Sequence, residues 1–287
     1  MCNAPYMRLV TPYVNSRSAG LYLRSIRQQP FQAFSIGGGK MKYGLVNGAR
    51  HEAEPKLRGA CPNCDAEVVS RCGQKRIWHW SHLGKLECDR WWEPETEWHR
   101  TWKALFPQEW QEVIHVAAEG ERHIADVKND RGLVIEFQHS PLDPEERLSR
   151  EKFYGTMVWV VDGMRYKRDL PAFREAVAEG YIVHDSPLCL DPRTRAAAIV
   201  RRWAPLRHHV FIDFGDEDFH IAGFRAPEKV LWQFLFNRAT GRVVIAAVTR
   251  ESFMKFCLNG SELQHLTVER HQGPRRRYLR ISRRARR

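Results

Sequence analysis

At 287 residues, with 43% apolar side chains and ten Trp, the chain can bury one large core or two ordinary ones, and it has no apolar run long enough for a membrane helix. Its first thirty residues lack a secretory h-region and cleavage site, and seven cysteines, an odd number, point to a reducing compartment with a metal site, so a cytoplasmic address is expected. The formal net charge of +12 sits at the two ends: eight of the last thirteen residues are Arg, and residues 1–40 hold five cations and no acid.

Residues 1–40 have weak periodicity and end in Gly37-Gly38-Gly39-Lys40. They read as an arm outside the working domain, with Met41 as an alternative start. Residues 41–92 form a Cys/His-rich segment. Cys61-x2-Cys64 is followed after fourteen residues by His79-x2-His82, and Cys88 comes soon after. Thiolates and imidazoles at such spacing suit tetrahedral Zn²⁺. On a strand His79 and His82 would face opposite sides, so Cys61, Cys64, His82 and Cys88 are favoured, with His79 as the alternate ligand. The zinc would be structural.

Glu93 to Phe106 reads as a helix, with Pro94 in its first turn and Trp98, Trp102 and Leu105 on one face. Trp91, Trp92, Trp98 and Trp102 are expected to fill the seam between the zinc segment and the larger core downstream. Three strand-like runs come next, 112–118, 122–128 and 132–140, separated by Gly120 and by Asn129-Asp130-Arg131-Gly132. Asp143 caps a helix from Pro144 to Tyr154. The run 156–161 is a buried strand, and 170–179 a further helix. The region after Asp185 carries strands and helices of its own, at 210–214, 228–238 and 242–248, and reads as a second module.

The informative stretch is the hairpin around Arg131. Glu136 and Gln138 share a strand face, while Leu133, Ile135 and Phe137 form the opposite, apolar one. A turn centred near Arg131, with Gly132 at a bulge, sets Asp126 across from Glu136. Two adjacent carboxylates on an otherwise apolar sheet are costly unless a cation compensates them, and oxygen ligands suit Mg²⁺. Such a metal activates water against a phosphodiester, Gln138 would orient that water, and Glu97 would complete the acidic cluster. Arg150, with Glu146 one turn before it, would hold a phosphate or pair with that acid. The tail that opens with Arg275, Arg276 and Arg277 would add salt-sensitive affinity for nucleic acid.

At these residues the chain resembles the competence protein CoiA-like family. The likeness runs from about Gly44 to Gly163, through Cys61-Pro62-Asn63-Cys64, Trp78-His79-Trp80-Ser81-His82 and Glu97-Trp98-His99 with Lys103. It continues in Ala125-Asp126, Ile135-Glu136-Phe137-Gln138-His139-Ser140, Arg150 with Tyr154, and Val158-Trp159-Val160. His123 stands where that pattern has Arg. The resemblance implies a PD-(D/E)XK nuclease with an N-terminal zinc-binding segment, linked to processing of incoming DNA in natural transformation. It implies Asp126 and Glu136 as metal ligands, Gln138 at the usual lysine position and Glu97 as the helix acid.

The expected fold is therefore α/β: a PD-(D/E)XK nuclease-like core, a mixed sheet flanked by helices, over 93–185. The zinc segment 41–92 precedes it; an additional α/β module, 186–274, and the Arg-rich tail, 275–287, come after it. The expected function is hydrolysis of DNA phosphodiesters with Mg²⁺ or Mn²⁺, beside a structural Zn²⁺. Single- or double-stranded DNA is the expected partner, with no membrane, in DNA uptake, recombination or defence. The alternative is a DNA-binding adaptor that keeps the fold and cuts nothing.

Overall fold

Short strands make up most of the Cys/His segment in the computed structural model, which describes residues 40–83, 88–185, 187–192, 198–204, 207–221, 224–225, 229–237 and 241–267. The strands are β1 (Lys40–Met41), β2 (Tyr43–Val46), β3 (Ala49–Glu52), β4 (Arg58–Ala60), β5 (Glu67–Arg71) and β6 (His79–His82). They form an antiparallel sheet ordered β1-β6-β5-β4-β2-β3 around the buried Trp80. The Trp80 indole N–H donates to His51 O at 2.8 Å. A Cβ on Gly44 would lie 2.7 Å from the Trp80 ring, so no side chain fits at that position. The expected boundary at 40/41 cuts through β1, where Lys40 pairs with Ser81, so Lys40 belongs to the sheet and not to the arm. The rest of that arm, and the tail with Arg275, Arg276 and Arg277, lie outside the described residues.

A second, nine-stranded sheet comes next, and its first half carries α1 (Glu97–Lys103), β7 (Gln111–Val116), β8 (Arg122–Lys128), β9 (Val134–Gln138), α2 (Pro144–Tyr154) and β10 (Met157–Asp162). After these come α3 (Asp169–Ala178), β11 (Tyr181–Asp185), β12 (Leu188–Asp191), α4 (Ala198–Trp203) and β13 (His209–Asp213). Beyond a two-stranded ribbon, β14 (His220–Ile221) with β15 (Phe224–Arg225), lie β16 (Val230–Asn237), β17 (Arg242–Thr249) and α5 (Arg250–Asn259). The sheet order is β11-β12-β17-β16-β13-β10-β9-β8-β7.

Strand β10 is buried along its whole length and lies parallel to both neighbours, β9 and β13. Burial on both faces explains why it reads as an unbroken apolar run. Helix α2 makes the crossover between β9 and β10 that a parallel pair requires. It begins as expected, with Asp143 accepting from the Glu145 and Glu146 N–H groups and Pro144 in the first turn. Alternate β9 and β10 residues point to opposite faces. Ile135, Phe137, Val158 and Val160 pack with Trp102 and Phe106 beside α1 and with Phe253 and Cys257 of α5. Val134, Trp159 and Val161 pack with Tyr154 of α2, Phe173 and Val177 of α3 and Trp203 of α4.

The expected separate module at 186–274 is corrected by the sheet itself. β12, β13, β16 and β17 are strands of the same sheet as β7–β10, and β13 pairs directly with β10. The expected boundary at 185/186 falls between β11 and β12, which pair antiparallel. Helix α1 is also shorter than the expected 93–106, because Thr96 caps it: its side chain accepts from His99 N–H, and Pro94 lies ahead of the helix. Helix α5, which the sequence reading left unassigned, has Thr249 as N-cap and Gly260 at φ 76° after its last turn.

Candidate active site and metal centre

The metal centre is built at the edge of the small sheet. Cys61 and Cys64 flank a tight turn in which Asp65 N–H donates to Cys61 O at 2.9 Å. His82 closes β6, and Cys88 comes from the segment leading to α1. The ligand atoms of Cys61, Cys64, His82 and Cys88 all lie within 4.8 Å of one another. The Cys61 and Cys88 Sγ atoms are 3.7 Å apart, and Cys64 Sγ is 3.3 Å from His82 Nε2. Two thiolates on a tetrahedral zinc, each about 2.3 Å from the ion, sit about 3.8 Å apart, so the four residues fit Zn²⁺. The favoured set stands and the alternate does not: His79 Nδ1 is bonded to Ile77 O at 2.7 Å, outside the cluster. Hydrogen bonding from Cys88 draws the Cys61 thiol down to about 5, whereas Cys88 itself is pushed above the ordinary thiol range.

The carboxylate site lies where β7, β8 and β9 run side by side. Val127 pairs with Ile135 and Lys128 with Val134, a register that sets Asp126 across from Glu136 as the hairpin reading required. Gly132 supplies the turn at φ 80°. Each carboxylate also accepts a backbone N–H from the facing strand. Asp126 N–H donates to Glu136 Oε1 at 3.2 Å, and Phe137 N–H donates to Asp126 Oδ2 at 3.0 Å. On the other side, pairing of Gln111 with Val127 and of Val113 with Ala125 sets Glu112 across from Asp126. Glu112 takes a left-handed φ of 47°, rare for a side-chain-bearing residue, and its carboxylate also accepts from the Lys42 and Tyr43 N–H groups of the small sheet.

A cation from outside the hairpin meets these acids. Lys103, in the last turn of α1, is buried, with Nζ 2.5 Å from Glu95, 3.0 Å from Glu112 and 3.6 Å from Asp126. Burial works against its charge, but the three carboxylates prevail and hold the ammonium well above the ordinary lysine range. Glu136 is in the opposite condition. Burial, and then the Asp126 charge, push it up to about 8, although Arg150 Nη1 lies 3.3 Å from its Oε2. A cavity of about 60 Å³ reaches Glu93, Glu95, Lys103, Glu112, Asp126 and Glu136.

Two expected roles change, those of Glu97 and Gln138, and Arg150 takes one of its two expected partners. Glu97 is exposed and faces away from Asp126, because the Thr96 cap fixes the phase of α1 with His99 and Lys103 inward; Glu93, Glu95 and Glu112 supply the further acids. Arg150 is buried and bonded to Glu136, Glu146 and Trp91 O, so it pairs with Glu146, one of its two expected partners, and also holds the site's glutamate. Gln138 is buried beside the cavity and not in it. Its amide N–H₂ donates to Glu93 Oε2 at 3.2 Å and Ser140 O at 3.0 Å, and its Oε1 has no partner among the described residues.

The tryptophans divide between two jobs. Trp91 stacks on His123 with ring centroids 3.3 Å apart, and Trp92 Nε1 donates to Lys40 O at 2.9 Å, which joins the small sheet to the core as the seam reading expected. Trp98 and Trp102 instead send both indole N–H groups to Asp213 Oδ2 on β13, each at 2.9 Å. Asp89, next to Cys88, accepts from Ile124 N–H at 2.8 Å and pairs with His123 at 2.7 Å. The zinc cluster is thereby tied to β8 two residues before Asp126.

Lys103, Glu93, Glu95 and Glu112 were missed as site residues. Lys103 was part of the family likeness but was given no role, and Glu112 opens an expected strand with no pattern to mark it; Glu93 and Glu95 fall in the first turn of the expected helix, where acids are ordinary. No helix among the described residues is long and apolar enough to cross a membrane. Comparison with curated proteins and with solved structures yields no match. Residues 51–90, which contain all four zinc-cluster residues, match the family described as the competence protein CoiA, N-terminal domain. Over that segment the resemblance to the competence protein CoiA-like family is borne out.

Proposed function

We propose that this chain is a metal-dependent nuclease that hydrolyses DNA phosphodiesters on a PD-(D/E)XK-type core, with Asp126 and Glu136 as the metal-holding pair. The observation that carries the reading is their placement on adjacent strands at one register step, with the Lys103 ammonium 3.6 Å from Asp126. Oxygen donors of this kind fit Mg²⁺ or Mn²⁺, which keep several waters and need few protein ligands. The raised pKa of Glu136 supports the fit, since it marks a buried carboxyl still short of positive charge. A bound ion would activate water and offset the charge that builds on the phosphate.

The chain's own groups take distinct parts. Lys103 is too strongly held in its charged form to accept a proton, so it would bind a non-bridging phosphate oxygen as a fixed cation. Arg150 keeps Glu136 aimed into the cavity. Gln138 steadies Glu93, so it is a positioning residue and not the group that orients water. Zn²⁺ on Cys61, Cys64, His82 and Cys88 would hold the small sheet against β8. DNA uptake, recombination or defence would each use such an activity.

The adaptor reading rests on one observation of its own: Lys103 already neutralises part of the acidic cluster, as a residue that replaces a metal would. Cleavage of labelled single- and double-stranded DNA separates the two, with Mg²⁺, with Mn²⁺ and with no added divalent ion. Metal-dependent cutting that Asp126→Ala and Glu136→Ala both abolish, with zinc content and melting retained, establishes the nuclease. DNA binding without cutting under every metal condition establishes the adaptor.

A further inference from the structure

A groove of about 830 Å³ opens between the β5–β6 connection of the small sheet and α1. Lys40, Lys75, Arg76, Trp78, Glu95 and Glu97 contribute to its walls, and Lys40 and Glu95 also line the carboxylate cavity, so the two spaces adjoin. Its charge is one-sided. Glu95 is taken by Lys103 and Arg100, which leaves the exposed Glu97 as the one uncommitted acid among the described lining residues. Lys40, Lys75 and Arg76 form no ion pair among the described residues. Arg76 lies near enough to Lys40 that its charge, after burial, holds the Lys40 ammonium below its usual range. Cations kept together without a counter-charge are costly in the free protein, and a polyanion offsets that cost.

Trp78 adds a second chemistry. Its side chain is 47% exposed on the wall of this charged groove, while its backbone carbonyl is held by Arg100 Nη2 at 2.8 Å. An anchored, half-exposed indole among unpaired cations matches the stacking platforms that take unpaired bases, because every base offers a flat face whatever its sequence. A duplex keeps its base faces covered and could meet the cations but not the ring.

We infer that this groove is the binding track for a single-stranded DNA segment, with Lys40, Lys75 and Arg76 on the phosphates and Trp78 stacked on a base, and that it delivers the strand to the carboxylate cavity. The delivery step rests on the nuclease reading; the binding track does not. The test is fluorescence anisotropy of a labelled oligothymidylate with the full chain, without added divalent ion and at several salt concentrations. The variants are Lys75→Glu with Arg76→Glu, Trp78→Ala and Trp78→Phe, each checked for zinc content and melting. The charge-reversed variant is expected to bind at least about tenfold more weakly, with a salt slope flatter by about 1.4 for two lost phosphate contacts. Trp78→Ala should lose about fivefold to a hundredfold, the range for one stacked base, and Trp78→Phe should restore most of it. Duplex DNA of equal length should compete poorly. Binding by both the charge-reversed and Trp78→Ala proteins within about twofold of wild type overturns the track, since the arms alone would then account for affinity. Groove-dependent binding without cleavage by wild type overturns the nuclease and leaves the track standing.

Discussion

Lys103 Nζ lies 3.6 Å from Asp126 Oδ1, and the two residues reach this contact from a helix and a strand separated by the whole of β7. The strand position where a lysine would follow Glu136 by two residues holds Gln138, which is turned toward Glu93 and Ser140. The buried cation that meets Asp126 thus comes from α1, and α1 is held in place by Asp213 through Trp98 and Trp102.

Removing that cation should unsettle the fold as well as any activity. Lys103→Met leaves Glu95, Glu112 and Asp126 close together without their ammonium. Breaking a buried ion cluster from one side costs about 3–5 kcal/mol, to be read from denaturant unfolding at pH 7. Cleavage should fall by about a hundredfold or more, as for loss of one preorganised electrostatic donor. A loss of stability below about 1 kcal/mol, the scale of exposed pairs, would mean that the ammonium is not what holds the acids together.

Glu136 gives the metal-free protein a pH dependence of definite sign. Its folded pKa of about 8 stands above the ordinary 4.5, so the folded chain keeps a proton that the unfolded chain has released. Its contribution to stability is therefore undiminished below about pH 4.5, falls as pH rises to about 8, and is level above that. Glu136→Gln removes this decline. The variant should gain on wild type between these limits in thermal melts without added divalent ion, and the two should converge in acid. A constant difference across the range would show that Glu136 is already ionised.

The zinc assignment predicts one zinc per chain by elemental analysis. Cys88→Ser and His82→Ala should lose it, and His79→Ala should keep it, because His79 is bonded to Ile77 O outside the cluster. Zinc loss should also be felt at β8, through Asp89 and its bonds to Ile124 and His123. Hydrogen exchange at residues 122–128 should quicken on chelation. Unchanged exchange there would show the two sheets to be uncoupled.

The continuous sheet predicts that a fragment ending at residue 185 does not fold. It would lack β13, whose pairing with β10 covers the central strand, and α5, which buries Ile135 and Phe137. Circular dichroism and a cooperative melt decide the point. In the full chain Asp213→Ala should cost about 1.5–3 kcal/mol, the scale of hydrogen bonds to a charged group, since it leaves two indole donors unmet and takes the carboxylate from a partly exposed Arg250.

Local features were legible from sequence because the chain carries them locally. Period-two alternation and a glycine turn set the β8–β9 register, an Asp-Pro cap began α2, and close Cys/His spacing marked the zinc ligands. Thr249 and Gly260 also announced α5, and went unread. Tertiary structure decided what depends on partners distant in sequence. Strand pairing carries no signature of which sheet a strand joins, so β12, β13, β16 and β17 read as a module of their own. Whether a helix acid faces a site depends on the cap that sets its phase, so Glu97 and Glu95 exchanged places. A buried lysine looks like any other until the fold brings Glu112 from β7 and Asp126 from β8 around it, because charge compensation acts through space and not along the chain.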